Sequence, residues 1–104
     1  MNDRADAKTI EECTEMAIVD CYDDYEQASG WLACLDDIFS AVKQVKVAGA
    51  VVKFKRFDLV HDTAIVAICE QHNKKIKVPL AALELIKPTT AQELWLEAWL
   101  AWAK

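Results

Sequence analysis

The residues of this chain that are best suited to chemistry are carboxylates, and they are concentrated in its first third. Residues 1–37 hold eleven acids against two bases, whereas residues 38–104 hold six acids and ten bases. On a helix, Asp20, Asp23 and Asp24 would share one surface because they follow the spacing i, i+3, i+4. Carboxylates this close need a neutralising cation, and Ca²⁺ suits them because it takes six to eight oxygen ligands in flexible geometry. The residues alone indicate either a cation site or a solvated acidic face.

A helical segment must position these carboxylates. The stretch Thr9–Glu12 fits a capping box, and apolar residues then recur at steps of three and four as far as Val42. One straight helix of this length would measure about 50 Å and overhang a globule whose radius of gyration is about 13 Å. We therefore expect a break or kink at Ser29-Gly30, giving a helical pair or one bent helix. The bend would bring the first acidic group towards Asp36-Asp37.

The middle of the chain predicts a small sheet. Residues 51–57 and 75–78 alternate between apolar and polar side chains, and residues 63–70 form a β-branched run. Residues 71–74 between two of these runs resemble a hairpin connection, with Asn73 able to take a positive φ. We expect three or four antiparallel strands in a strongly curved sheet, with an SH3-like partial barrel as a possible form.

The last segment predicts a tryptophan-rich helix. Thr90–Glu93 fits a second capping box. Trp95, Trp99 and Trp102 then follow at i, i+4 and i+7, so they share one face. That face either docks on the sheet and the first helix or forms an oligomer interface. The whole chain is predicted to be one α+β domain, divided as a flexible tail 1–8, a helical part 9–43, a sheet 45–86 and a helix 90–104.

Several functional classes are not expected. The chain has only two glycines and two histidines, and it contains no phosphate-binding or nucleophile motif, so we predict that it is not an enzyme. The four cysteines show no zinc-ligand spacing and are expected to be reduced. No stretch predicts a membrane span or a signal peptide, so we expect a cytoplasmic protein.

Nucleic acid is not the expected ligand either, although one basic strip needs an explanation. Its six members lie on two predicted strands and on the predicted hairpin connection at residues 71–74: Lys53, Lys55, Arg56, Lys74, Lys75 and Lys77. Such strips can bind oligonucleotides. We favour a solvated face, or pairing with the acidic helices of the same molecule.

A family resemblance adds to this interpretation. The segment Cys21–Leu32, followed by Leu35-Asp-Asp37, resembles the N-terminal helical motif of the small bacterial calcium-binding proteins related to the cyanobacterial calcium-binding protein. The segment Val78–Leu83, with Trp99 and Trp102, resembles that family's Val-Pro-Leu segment and its closing helix. The resemblance covers most of the chain at scattered positions. It implies a fold of helices around a small sheet, with Ca²⁺ held by clustered carboxylates outside an EF-hand.

Carried over position by position, the resemblance implies the ligands Asp23, Asp24, Asp36 and Asp37, with Glu26 as a further member. This chain departs from the family in lacking a proline after the second helical segment and in being basic on balance beyond residue 37. We therefore predict a non-EF-hand calcium-binding protein that acts as a sensor or a buffer. The alternative is a non-catalytic module whose acidic helices or tryptophan helix bind a protein partner or a second copy.

Overall fold

The computed structural model describes residues 4–103 and places helices beside one antiparallel sheet. The three helices are α1 (Ile10–Ile18), α2 (Asp24–Ile38) and α3 (Thr90–Trp102). The five strands are β1 (Gln44–Val47), β2 (Ala50–Val60), β3 (Ala64–Gln71), β4 (Lys74–Pro79) and β5 (Leu83–Leu85). Residues 1–3 of the expected tail and residue 104 of the expected last helix lie outside the described residues.

The N-terminal helices form a pair, but the predicted position of the break was wrong. Helix α2 runs through Ser29-Gly30 without interruption, and the break lies at residues 19–23. Asp20 adopts a φ of 58°, a left-handed conformation that does not continue a helix. Asp23 then starts α2, because its Oδ1 accepts a hydrogen bond from the Glu26 amide at 2.7 Å.

Gly30 serves a close approach between helices instead of a break. A Cβ at this position would lie 1.9 Å from the carbonyl oxygen of Ala17, near the end of α1. Real Cβ atoms do not approach main-chain oxygens so closely. The absence of a side chain at Gly30 therefore lets the backbone of α2 pass directly against α1.

The sheet has five strands in the order β4-β3-β2-β1-β5, one more than the upper expected number. The three predicted runs correspond to β2, β3 and β4. The strands beyond these runs are β1 and β5, which pair with each other through Val45–Leu85 and Val47–Leu83. The order is that of an open sheet of antiparallel neighbours. The predicted hairpin at residues 71–74 is confirmed, and its central residues His72 and Asn73 have φ values of 53° and 64°.

Helix α3 docks its tryptophan face inside the molecule. Its capping box is formed by Thr89 and Gln92, one residue earlier than predicted. Trp31 of α2 is fully buried, and its ring centroid lies 5.7–5.8 Å from those of Trp95, Trp99 and Trp102. Such edge-to-face and tilted pairs add to the energy of burial. The three helices thus meet around one aromatic cluster.

The segment before α1 packs against this cluster. Arg4–Asp6 form a 3₁₀ turn, Ala7 is buried, and the Trp95 indole donates to the Arg4 carbonyl oxygen at 3.0 Å. All four cysteines are free thiols. No helix within residues 4–103 is long and apolar enough to cross a membrane.

Candidate calcium site

The first group of predicted ligands lies at the N-terminal end of α2. Asp23 precedes the helix and Asp24 is its first residue, while Asp20 lies in the connection and not on a helix. The expected shared helical surface of Asp20, Asp23 and Asp24 therefore does not form. One oxygen of Asp23 is already engaged in capping the helix, and Asp24 and Glu26 are exposed. Acidic residues in this first turn also stabilise the helix dipole.

The second group lies at the C-terminal end of the same helix and is engaged with other parts of the chain. Asp36 Oδ1 accepts a hydrogen bond from the Phe57 amide at 3.2 Å. The Phe57 amide belongs to the part of β2 that follows Lys53, and β1 pairs with β2 only as far as Lys53. Asp37 Oδ2 forms an ion pair with Arg4 Nη1 at 3.1 Å. Both carboxylates thus fasten α2 to neighbouring elements.

The two groups do not converge. Asp23 and Asp36 are separated by thirteen residues along α2, which corresponds to about 20 Å at 1.5 Å per residue. A single ion with oxygen ligands at about 2.4 Å cannot bridge that distance. Within residues 4–103, three or more Asp, Glu, His or Cys side chains do not gather in an arrangement able to hold a metal ion. The convergence expected from a bend at Ser29-Gly30 is therefore absent.

Asp36 has a carboxylate whose pKa is perturbed by its surroundings. Partial burial against the sheet is the largest influence and raises the pKa of Asp36 above its ordinary value. The hydrogen bond from Phe57 and the charge of Arg56 act in the opposite direction, and the charge of Asp58 adds to the rise. Because removal from water outweighs the attractive contacts, the Asp36 carboxyl holds its proton more tightly than an exposed aspartate does.

The sequence prediction missed Arg4, the cation that the structure places at Asp37. Arg4 also lines a groove of about 380 Å³ with Glu12 and Glu15 of α1. The guanidinium therefore neutralises part of the acidic helical surface from within the chain. One signal was available, since Arg4 and Lys8 are the only basic residues among the first 37. Local sequence spacing could not predict the contact between Arg4 and Asp37, because the two residues are 33 positions apart.

The whole-chain architecture agrees with that of solved structures. The crystal structure of Anabaena CcbP superposes with a TM-score of 0.76 over 99% of this chain and 92% of that one, at 19% identity. The chain has the fold of Anabaena CcbP. A structure described as a calcium binding protein in the calcium-binding form matches with a TM-score of 0.73, over 99% of this chain and 95% of that one, at 20% identity.

The family resemblance noted in the sequence is thus confirmed for the fold. Comparison with protein-family models and with curated proteins gives no match. The shared fold extends over 99% of this chain in both comparisons, although about four residues in five differ.

Proposed function

We propose that this protein binds Ca²⁺ through the carboxylates of its helical pair, as a sensor or a buffer, and without an EF-hand. The main support is the shared fold, which spans 99% of the chain in the comparison with the protein described in its calcium-binding form. The charge distribution is consistent with this role, because residues 10–37 contain nine acids and no Lys or Arg.

The proposed ligands form two separate sets, one at each end of α2. The first set is Asp23, Asp24 and Glu26, and the second is Asp36 and Asp37. Each set offers few carboxylates, so main-chain oxygens and water must supply the remaining ligands of the ion. Affinity for Ca²⁺ depends on ligand charge and rigidity, and sparse sites have dissociation constants of about 10⁻⁴–10⁻³ M. We expect two weak, independent binding events.

Arg4 would compete with Ca²⁺ for the Asp37 carboxylate of the second set. Its guanidinium occupies the Asp37 carboxylate at 3.1 Å, and both side chains are about half exposed. Calcium must displace this arginine before Asp37 can coordinate the ion. Replacing Arg4 with Gln is therefore expected to tighten binding at this end of α2, and to leave the other end unchanged.

Isothermal titration calorimetry in calcium-depleted buffer tests the proposal. The variant D23N/D24N should lose one binding event, and D36N/D37N should lose the other. The variant E93Q/E97Q removes two exposed carboxylates from α3 and should bind as the wild type does. Absence of heat at millimolar Ca²⁺ would refute the proposal, as would unchanged binding in both acidic variants.

Tryptophan fluorescence separates a sensor from a buffer. Trp31 follows the first ligand set by one to two helical turns and touches the three tryptophans of α3. A sensor changes the packing of this cluster when Ca²⁺ binds, so its emission should shift at the calcium concentration found by calorimetry. A buffer binds with unchanged emission.

The alternative function is a non-catalytic interaction module. Of the two faces predicted for it, the tryptophan face of α3 packs into the core, with Trp95 and Trp99 buried. The acidic helical surface is the exposed one. The observation that favours this alternative is the separation of charge between the two sides of the molecule.

A further inference from the structure

The outer surface of the sheet is a cationic face. Side chains of β3 alternate, and Ala67 is buried towards the helices. A register shift between Phe54 and Arg56 lets Phe54 and Phe57 of β2 lie buried on that same side. The side chains between them point to the other side of the sheet, and the exposed cations there come from three strands. This outer face contains Lys46 of β1, Lys53, Lys55 and Arg56 of β2, and Lys75 and Lys77 of β4.

The strand register arranges most of these cations in two rows. One row reads Lys53, Glu70, Lys75 across β2, β3 and β4. The next row has Ile68 at its centre, with Arg56 and Lys77 as its partners on either side. Ile68 is buried although it lies outside the main core cluster. The aliphatic parts of the long Arg56 and Lys77 side chains beside it therefore shield it from solvent. With strands about 4.8 Å apart, each row spans about 10 Å.

The chain neutralises part of this face through Glu70 and through Glu84, which is the register partner of Lys46. Lys53 and Lys55 share Glu70 as a salt-bridge partner, at 4.0 and 3.8 Å. Among residues 4–103, the other cations of the outer face have no carboxylate within 4.0 Å. The acidic helices are not paired with these cations either, because among the helix carboxylates within residues 4–103 only Asp37 has a basic partner, and that partner is Arg4. The internal pairing considered from the sequence does not occur.

The acidic surface lies on the opposite side of the molecule. Helix α2 packs on the inner face of β2 and β3, and α1 packs on α2 and α3. The exposed acids Glu11, Glu15 and Glu26 belong to these two helices. One molecule therefore presents an anionic helical layer on one side and the cationic outer face on the other.

We propose that the cationic outer face of the sheet docks the acidic helical layer of a second copy of this chain. Complementary charge is the argument, since residues 10–37 carry nine acids without a base and residues 43–87 carry nine bases with four acids. Nucleic acid fits this face less well, because Phe54 and Phe57 are buried beneath it and leave no aromatic platform for bases. The acidic helices would also repel a long polyanion.

The two surfaces are different patches, so the contact is heterologous. A head-to-tail contact of this kind does not close at a dimer unless its rotation forms a ring. Exposed ion pairs are individually weak and are screened by salt. We therefore expect weak, salt-sensitive association that extends beyond dimers at high protein concentration. This inference is independent of calcium binding, and it is tested in the presence of a chelator.

Sedimentation velocity of the full chain gives the first test. At about 20 mM salt, the average mass should rise with protein concentration above twice the 11.7 kDa monomer, and at about 500 mM salt it should return to the monomer. A monomer at both salt concentrations, up to about millimolar protein, would overturn the proposal.

Two neutralised variants test the pairing of the surfaces. K53Q/R56Q/K77Q removes charge from the outer face, and E11Q/E15Q/E26Q removes it from the helical layer. Each variant alone should self-associate at least about tenfold more weakly than the wild type, because three ion pairs are lost. K43Q/K74Q/K87Q makes the same charge change outside the two rows and should associate as the wild type does.

Mixing the two neutralised variants gives the decisive result. The intact helical layer of the first can dock on the intact outer face of the second, and no further contact remains. The equimolar mixture should therefore form a 1:1 dimer of about twice 11.7 kDa and stop there. A mixture that stays monomeric would overturn the proposal. So would a monomeric wild type whose outer face binds a labelled 20-nucleotide single strand, because the surface would then be a nucleic-acid site.

Discussion

Replacing Gly30 with Ala should destabilise the protein, although helix propensity predicts the opposite. The new Cβ would lie 1.9 Å from the Ala17 carbonyl oxygen and 3.1 Å from its carbonyl carbon. Both atoms belong to main chain, so they cannot move aside as the end of a flexible side chain can. Helices α1 and α2 would have to separate by more than 1 Å at their closest point.

The size of the effect follows from two opposing contributions. Overpacking of a well-packed core costs about 1–3 kcal/mol and occasionally more. A gap of 0.5–1 Å already forfeits a quarter to a half of a dispersion contact, and the buried side chains Cys13, Trp31 and Cys34 line this helix pair. The gain in helix propensity from Gly to Ala is about 1 kcal/mol. The clash is with main-chain atoms, so the cost should lie at the upper end of that range, and we expect a net loss of about 2 kcal/mol in the free energy of unfolding.

Urea denaturation followed by tryptophan fluorescence measures this loss, because the indole cluster around Trp31 reports the packing of all three helices. Ser29→Ala is the matched control, since it changes the neighbouring residue of the same helix without adding an atom beside α1. The control should lie within about 0.5 kcal/mol of the wild type. If Gly30→Ala is as stable as the wild type, the close approach of the two helices is wrong.

Three further predictions concern single side chains. Asp36→Asn keeps an acceptor for the Phe57 amide and removes a carboxylate whose pKa is raised by burial. In the wild type, the folded state holds the Asp36 proton more tightly than the unfolded state does. Wild-type stability should therefore fall as pH rises from about 4 through the raised pKa. Asp36→Asn should flatten this dependence of stability on pH in denaturation curves. Burial raises the pKa of Cys13 to about 11, so this thiol should react with a disulfide reagent at pH 8 only in denaturant. Cys21 in the α1–α2 connection is partly exposed and should react first. Thr89→Ala should cost about 1 kcal/mol in thermal or chemical denaturation, while Thr90→Ala should cost less than half of that, because Thr89 makes the capping contacts of α3.

Local patterns predicted much of the fold. Thr9 caps α1 as expected, with the Glu12 amide donating to its hydroxyl at 3.1 Å. The hairpin at residues 71–74 and the shared face of the α3 tryptophans also follow from spacing alone. These features depend on residues close in sequence, where capping, turn and periodicity rules apply directly.

The break between the N-terminal helices could not be located by the same rules. The apolar stripe continues in phase from α1 to α2 because both helices pack on one core, so periodicity gives no sign of the five-residue connection. Gly30 resembled a helix breaker, yet its role depends on Ala17 of another helix. A glycine that permits an irregular backbone and one that permits close packing have the same sequence signal.

The position of this break determines what the acidic stretch can do. With a bend at Ser29-Gly30, the two carboxylate groups would have met, and one ion could have organised them. With α2 continuous from Asp24 to Ile38, the helix holds them about 20 Å apart, beyond the reach of one ion and beyond about two Debye lengths at physiological salt. Calcium binding at one end should therefore leave affinity at the other unchanged, and the effects of the two acidic variants on binding free energy should add. The continuity of one helix thus predicts independent sites in place of a single shared one.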